Sequence, residues 1–346
     1  MRDLGIMIRL LLLSLSLIIS SWSGATAQSR DIYTVRGLDV DEMAETVIEA
    51  QTVAFSDAKV QGLAKMIARV TLPEDMVGRA PLEIGAELAD QLAAAVDVEE
   101  EVRGAGRYRA RLAVVFNPTL FRNYMQSIGL PFSDRAAPPA LLVPIARDNY
   151  RYAWTAAWEE ESEGRLAPTI TSRNRTYSYL SGWADFRDEA EMRGAARAVM
   201  AELIGSPGRF QAQLSIVTAS GIEQVGTTGI YSTTKRTAAA AAEMLDVAWK
   251  RRSIIRETAR NEIVVSVLYT SLPEWNRLRQ ALADSPAIIE FTTKSIAKDG
   301  AVVSFVFAGD GQQLLNDLRD RGVSIQSQDI GWVVSTTAFG PQTKTE

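Results

Sequence analysis

Two stretches of the sequence, residues 31–146 and 263–337, pass through strand and helix patterns in nearly the same order, and this order limits the possible folds more than any other feature. Alternating and 3.6-residue hydrophobic periods predict β-α-α-β-β-α-β for the first stretch and β-α-β-β-α-β for the second. The second order is that of the split βαβ, or ferredoxin-like, unit. The sequence therefore predicts an α+β fold made of small α/β units in series, with ferredoxin-like N- and C-terminal units.

The residues between these stretches carry a third set of patterns. They predict a strand at "RLAPTITS", a helix near 188–204, a hairpin turning at Ser220–Gly221, and an Ala-rich helix from about 236 to 252. We accordingly predict four segments: a signal peptide at 1–27, an N-terminal α+β domain at 28–147, a middle α/β domain at 148–260, and a C-terminal ferredoxin-like domain at 261–340.

The first 27 residues have the composition of a secretory signal peptide. Arg2 and Arg9 precede the apolar run "LLLLSLSLIISSW", and the small residues "ATA" follow it. The run is shorter than the roughly 20 apolar residues that a membrane span needs. We expect cleavage after Ala27, export of the chain, and a soluble mature protein without a transmembrane anchor.

The chain has no Cys and no His, which restricts its chemistry. Disulfides, Ser-His-Asp triads, cysteine nucleophiles and the usual zinc sites are excluded. Paired carboxylates, a Ser-Lys pair and all-oxygen coordination of Ca²⁺ or Mg²⁺ remain possible. Because no phosphate loop or calcium-loop motif is present, we predict no metal site and no cofactor.

Acidic residues are numerous, but their sequence context is polar. Glu74–Asp75, Glu159–Glu161, and Glu189 with Glu191 all lie in hydrophilic runs. Acid–base catalysis needs one carboxyl group whose pKa is raised by burial, whereas adjacent acids in such runs are usually solvated. We therefore predict no catalytic residue. The net charge of −5 also gives no general attraction to nucleic acid, and we expect no nucleic-acid partner.

The predicted hairpin "VEEEVRGAGRYRARLAVVF" carries a cluster of charges. Arg107, Arg109 and Arg111 share one face of a strand by period-2 alternation. With a loop at residues 104–106, Glu101 lies opposite Arg109 and Glu99 lies opposite Arg111, so cross-strand ion pairs are expected. The cluster indicates either a solvated face of paired charges or a basic recognition patch.

The stretch "NYRYAWTAAWEEESEG" places Trp154 and Trp158 four residues apart, on one face of a helix. Such a pair can stack against a sugar ring. It can also be structural and close the seam between the first and middle domains, which is the more common role of aromatic residues at helical spacing.

The stretch "SRNRTYSY" is the best candidate for a binding surface. If it is extended, Arg173, Arg175, Tyr177 and Tyr179 point the same way. Guanidinium and phenol groups on one face suit an anionic or carbohydrate partner. The alternative is an exposed edge strand or a loop. The candidate binding residues are therefore Arg173, Arg175, Tyr177, Tyr179, Trp154 and Trp158.

Several strings resemble the proteobacterial family known as domain of unknown function 2066 (DUF2066), in its alphaproteobacterial form. They are "YTVRGLDVD", "YRARLAVVFNPTLFRNYMQSIGLPF" and "PALLVPI", followed by Trp-rich sequence. The resemblance is good over residues 31–160 and continues in order to the C-terminus. It implies a Gram-negative periplasmic or envelope location. The family carries no established catalytic residues, so none are transferred to this chain. "PTITSRNRTYSY" is basic and aromatic where the family usually has an acidic or Gly-containing turn.

These observations lead to two functional hypotheses. The first is a non-catalytic periplasmic accessory or binding protein of the cell envelope, whose partner is an envelope protein or glycan. The alternative is a carboxylate-dependent hydrolase acting on envelope glycan, which requires two acids roughly 5–10 Å apart in a cleft.

Overall fold

The computed structural model describes residues 32–159, 164–256, 260–328 and 331–336. The predicted signal peptide, residues 1–27, lies outside the described residues. Within them the chain forms nine helices and three sheets, which confirms the mixed α+β class. It divides into two compact units: unit 1 runs to Ile67 and from Pro81 to Asn123, and unit 2 runs from Ala68 to Ala80 and from Tyr124 onward. The predicted three-domain division stays a prediction.

The first elements in chain order are β1 (Thr34–Met43), α1 (Val47–Val70), α2 (Pro73–Met76), α3 (Ala86–Leu92), β2 (Ala93–Gly104), β3 (Arg107–Phe116) and α4 (Pro118–Ser127). The three strands form an antiparallel sheet in the order β1-β3-β2. Gly62 on α1 lets this helix approach the sheet closely, because a Cβ atom there would lie 3.3 Å from Leu38, Val114 and Phe116. Burial of apolar side chains between α1 and the sheet forms the core of unit 1.

The second sheet is made of β4 (Ala140–Ile145), β5 (Thr169–Thr171), β6 (Ala198–Ser206), β7 (Arg209–Thr218) and β8 (Gly221–Thr227), in the order β5-β4-β6-β7-β8. We call it the middle sheet. Strand β4 runs parallel to both of its neighbours, while β6, β7 and β8 form antiparallel hairpins. The predicted N-terminal ferredoxin-like unit had assigned β4 to the first sheet. Since β4 is apolar on both faces, it needs cover on both faces, which the middle sheet provides.

Three helices cover the middle sheet: α5 (Asp148–Glu159), α6 (Trp183–Met192) and α7 (Thr234–Ser253). Helices α5 and α7 pack on one face, where Trp154 and Leu245 belong to one buried cluster with Leu142. Helix α6 packs on the other face, where Phe186 joins a cluster with Leu141. The result is a three-layer arrangement around the sheet.

The third sheet contains the remaining elements: β9 (Arg260–Leu268), α8 (Leu272–Ala283), β10 (Ile288–Ile296), β11 (Gly300–Ala308), α9 (Gly311–Asp320), β12 (Val323–Gln328) and β13 (Gly331–Thr336). Its strand order is β10-β11-β9-β13-β12, and β13 runs parallel to β9. The predicted order of strands and helices is present. The ferredoxin-like assignment is not confirmed, because the additional strand β13 takes the place beside β9 and leaves β12 at the edge.

Polar contacts join parts of unit 2 that are distant in sequence. Arg197, beside β6, forms an ion pair with Asp320 at the end of α9, with Nη1 and Oδ2 3.1 Å apart and side chains only 5% and 9% exposed. The segment 68–80 is bound to the last turn of α7 and the residues after it. Lys250 Nζ donates to Ala68 O at 3.2 Å, and Arg251 pairs with Glu74 at 2.9 Å.

Among the described residues, no helix combines the length and apolar character that a membrane span requires.

Candidate functional site

The carboxyl ends of the parallel strands β4 and β5 define the candidate site. The chain leaves β4 into α5 on one face of the middle sheet, and it leaves β5 towards α6 on the opposite face. Neighbouring parallel strands whose connections diverge in this way leave a crevice between them, where open α/β sheets bind their ligands. A groove of about 760 Å³ lies at this place. We call it the switch-point groove; its charged and aromatic lining residues are Asp148, Arg151, Tyr152, Glu159, Arg173 and Arg175.

The segment after β5 forms one wall of the groove, and of the two alternatives for it, an extended segment or a loop, the structure has the loop. Strand β5 ends at Thr171. The hydroxyl of Ser172 accepts a hydrogen bond from the Asn174 amide at 3.1 Å, and the Asn174 side chain accepts one from the Thr176 amide at 3.0 Å. Such local side-chain bonds compete with strand pairing and turn the backbone. The condition for side-chain alternation through residue 179, an extended segment, is therefore not met.

The turn separates the four side chains that the alternation had grouped. Arg173 and Arg175 line the groove. Tyr177 is 9% exposed and packs edge-to-face on Phe186, with ring centroids 4.9 Å apart. Burial raises the pKa of the Tyr177 phenol. Tyr179 is 66% exposed but lies outside the groove lining. Two of the four predicted residues thus come together at the site.

The tryptophan pair belongs to the core of the middle sheet. Trp154 and Trp158 are 0% and 1% exposed, and their rings meet edge-to-face at 5.6 Å. Trp154 Nε1 donates to the Ala201 carbonyl of β6 at 2.9 Å. Because neither ring presents a face to solvent, the sugar-stacking interpretation is wrong. The structural interpretation agrees with this burial, because the pair fills the core under α5 and α7. Closure of a seam between the predicted first and middle domains stays a prediction.

Arg151 connects the two walls of the groove. Its Nη1 donates to the Arg175 carbonyl at 2.7 Å, and its Nη2 lies 3.3 Å from Asp148 Oδ1. Its Nε is buried and has no acceptor among the described residues. The guanidinium thereby fixes the loop against α5, and its charge faces a carboxylate, Asp148, whose side chain is 98% exposed.

The two loop arginines differ in their partners. Arg173 donates from Nε to Glu159 Oε1 at 3.0 Å, and its Nη2 lies 2.9 Å from the same oxygen. The guanidinium of Arg175 is exposed and has no acidic partner in the part of the chain that the structure describes. Three guanidinium groups therefore face two carboxylates, Asp148 and Glu159, in this lining. Guanidinium groups bind carboxylates and phosphates through paired hydrogen bonds, so the groove suits an anionic group.

Sequence reasoning missed Arg151 and Tyr152. The available signal was their position in the first two turns of a helix that directly follows the apolar strand "PALLVPI". That signal points to a ligand site only if the strand is parallel to its neighbours and the connections diverge. Both conditions depend on long-range strand pairing.

The charged face of the first sheet has a different register from the one predicted. Strand β2 pairs Val102 with Arg109 and Glu100 with Arg111, so the predicted pairs Glu101–Arg109 and Glu99–Arg111 are wrong. The hairpin has a two-residue turn, which moves the register by one residue from the predicted one as far as Glu100, where a β-bulge between Val98 and Glu100 interrupts the ladder. The turn uses Gly106 at a φ of +67°, where a Cβ atom would lie 2.5 Å from the Ala44 carbonyl.

The ion pairs of this face connect β3 to β1. Arg107 binds both carboxylate oxygens of Asp41, at 2.7 and 2.6 Å, and Arg111 lies 3.3 Å from Asp39. The hydrogen bond from Arg107 lowers the pKa of Asp41. Arg107, Arg109 and Arg111 are all exposed on one face, as the alternation predicted. These contacts fit a solvated face of paired charges.

Four of the acidic residues singled out in the sequence form ion pairs or hydrogen bonds: Glu74, Asp75, Glu159 and Glu189. Glu160 and Glu161 lie outside the described residues. Glu74 pairs with Arg251, Asp75 with Arg256, and Glu189 accepts a hydrogen bond from the Ser172 hydroxyl. Within the described residues, no group of three acidic side chains could hold a metal ion.

Burial raises the pKa of the Asp246 carboxyl group. It accepts a hydrogen bond from the Ala167 amide at 2.8 Å and lies 3.2 Å from Arg165, on α7 and away from the groove lining. Its surroundings are those of a buried ion pair, and it gives the switch-point groove no acid or base.

No protein-family model matches the chain, and no curated protein matches it significantly. The resemblance to the DUF2066 family stays a prediction.

Proposed function

We propose that the protein is an exported accessory or binding protein of the cell envelope, and that it holds an anionic part of its partner in the switch-point groove. One observation carries this proposal: Arg151, Arg173 and Arg175 converge on a crevice at the carboxyl edge of parallel strands, and Arg175 has no acidic partner among the described residues. The groove volume falls in the usual range of ligand sites, roughly 300–1,000 Å³. The two described carboxylates of its lining, Asp148 and Glu159, are 98% and 42% exposed and each pairs with an arginine. They do not resemble the buried acid that the alternative, a glycan hydrolase, requires.

Export is part of the proposal, with a mature chain that begins at Gln28. N-terminal sequencing of the protein released by osmotic shock tests it. Gln28 at the N-terminus is the expected result, and Ala27→Leu should leave the precursor uncleaved, because the processing enzyme requires a small residue there. An intact N-terminus in the cytosolic fraction would contradict export.

Binding is tested by site-specific crosslinking in living cells. A photoreactive residue replaces Tyr152, which is 81% exposed and lines the groove. In a separate control variant, the same photoreactive residue replaces Arg109 on the first sheet. We expect a discrete adduct from position 152 that is absent from position 109, with its partner identified by mass spectrometry.

Charge reversal links this adduct to the groove. Arg175→Glu should abolish it, whereas Arg209→Glu, an equal charge change at the exposed start of β7, should leave it intact. Identical adducts from both labelled positions, or an adduct that survives Arg175→Glu, would contradict the proposed function.

A further inference from the structure

We infer that the ligand of the switch-point groove is an acidic peptide segment of a partner protein, which binds by exchange with the groove's own carboxylates, Asp148 and Glu159. The inference rests on the proposed function. It specifies the chemistry of the ligand and predicts that two acidic residues of the protein compete with it.

The aromatic residues argue for a peptide rather than a sugar. Stacking against a sugar ring requires an accessible aromatic face. Trp154, Trp158 and Tyr177 are buried, and Tyr179 lies outside the lining. Tyr152, 81% exposed, is the one aromatic side chain of the described lining, whereas three guanidinium groups line it: those of Arg151, Arg173 and Arg175. The chemical character of the groove therefore comes from its guanidinium groups.

The carboxylate of Glu159 already occupies the place where a ligand carboxylate would bind. Both Nε and Nη2 of Arg173 contact the single oxygen Oε1 of Glu159. The side chains are 79% and 42% exposed, so water screens this ion pair strongly. A carboxylate that offers two oxygens to the same guanidinium can replace Glu159 without a large loss.

Asp148 is likewise an exposed carboxylate that pairs with a groove arginine, Arg151, and that a ligand carboxylate can replace. Their contact is 3.3 Å long, and the Asp148 side chain is almost fully exposed. Arg151 also holds the Arg175 carbonyl, so its position does not depend on Asp148 alone. Arg175 needs no exchange, because it has no acidic partner in the described chain. A peptide with several carboxylates can therefore engage Arg175 first and displace Glu159 and Asp148 afterwards.

Fluorescence anisotropy with defined probes tests the inference on the full mature chain. The probes are a labelled Glu-Ser repeat peptide, the matching Gln-Ser peptide, and a labelled oligogalacturonate as an anionic sugar. Wild-type protein should bind the Glu-Ser peptide and not the Gln-Ser peptide, and added NaCl should weaken binding. Arg175→Glu should weaken it more than about tenfold, whereas Arg209→Glu should have no effect.

The decisive variant is Glu159→Gln, which keeps the side-chain shape and removes the competing charge. It should tighten binding of the Glu-Ser peptide about 2–5-fold, the size expected for release of an exposed ion pair. Circular dichroism and the melting temperature check that each variant is folded.

Three results would overturn the inference. They are equal affinity for the Glu-Ser and Gln-Ser peptides, weaker binding by Glu159→Gln, and binding of oligogalacturonate alone. If oligogalacturonate alone binds and Arg175→Glu weakens that binding, the inference fails but the proposed function still holds. If no probe binds and no adduct forms at position 152, the inference and the proposed function fail together.

Discussion

Trp154 and Tyr152 lie two residues apart on α5 but have opposite environments, being 0% and 81% exposed. Trp154→Ala should lower the free energy of unfolding by about 3–5 kcal/mol, because it removes a large buried side chain and leaves a cavity. It also leaves the Ala201 carbonyl without its indole donor. Urea denaturation followed by circular dichroism measures the change.

Tyr152→Ala is the matched control and should change stability by no more than about 0.5 kcal/mol. If Trp154→Ala were as stable as the control, the indole could not be part of the core of the middle sheet.

Glu274 at the start of α8 gives a pH-dependent prediction. Burial alone would raise its pKa, but hydrogen bonds from Thr270 and Thr336 outweigh burial and lower the pKa below 4.5. The unfolded chain then binds a proton at a higher pH than the folded chain does. The stabilisation is therefore present above pH 4.5 and is lost as the pH falls through the folded-state pKa.

We expect Glu274→Gln to be less stable than wild type by about 1–3 kcal/mol at pH 7, since it weakens charge-assisted hydrogen bonds. This difference in the free energy of unfolding should become smaller as the pH falls below 4.5. Urea denaturation across a pH series measures it. Glu290→Gln, at an exposed position of β10, is the control variant and should change stability at pH 7 by no more than about 0.5 kcal/mol. If the stability difference between wild type and Glu274→Gln does not change with pH, the fold does not lower the pKa of Glu274.

Local patterns in the sequence could identify which residues share a face, but not always which face is buried. The four-residue spacing placed Trp154 and Trp158 together, and the core position follows from α7 packing on the same side of the middle sheet. Arg173 and Arg175 were proposed as binding residues on the condition that the segment is extended, and they line the groove although the segment is a loop. The turn there depends on which of several polar side chains bonds to the backbone, and composition alone does not determine that choice.

At the level of elements, the register of the first sheet can be tested with double-mutant cycles. The structure pairs Arg107 with Asp41, and it places Val102 opposite Arg109. We expect the Asp41→Ala and Arg107→Ala changes to couple in their effect on stability, because each removes the other's partner. Glu101→Ala and Arg109→Ala should be additive. If Glu101 and Arg109 couple while Asp41 and Arg107 are additive, the hairpin has the predicted register, with a three-residue loop at 104–106.

Some elements followed directly from the sequence. The Ala-rich helix predicted at 236–252 is α7, Thr234–Ser253, and the hairpin at Ser220–Gly221 joins β7 to β8. The helix predicted near 188–204 is wrong, because α6 ends at Met192 and β6 begins at Ala198. The segment "AARAVMAELIG" has high helix propensity, but pairing with β4 and β7 overrides it.

At the level of the whole molecule, the ion pair between Arg197 and Asp320 predicts how parts of unit 2 depend on each other. Asp320→Ala leaves the Arg197 guanidinium, only 5% exposed, without a carboxylate. Loss of one partner of such a buried pair costs about 3–5 kcal/mol. Urea denaturation should show this decrease in the free energy of unfolding, with the midpoint at a lower urea concentration.

Arg319→Ala, one residue earlier on an exposed position of α9, is the matched control and should cost no more than about 0.5 kcal/mol. Equal stability of the two variants would mean that the contact between β6 and α9 is open in solution.

The division of the chain into units was the least predictable feature. Strand β4 follows the N-terminal unit in sequence and was assigned to it, yet it pairs with β5 and β6. The segment 68–80 lies within the sequence of unit 1 and belongs to unit 2. Hydrophobic periodicity predicts that a strand or helix exists, but the choice of its partners depends on residues far along the chain.

That early segment has a consequence for biosynthesis. Its partners Lys250, Arg251 and Arg256 lie 182, 177 and 181 residues further along the chain. Closing such a loop costs entropy, and long-range contacts of this kind slow folding. A nascent chain emerging from its N-terminus therefore carries residues 68–80 without their partners until α7 has been made. Unit 2 cannot complete its folding one element at a time in the order of synthesis.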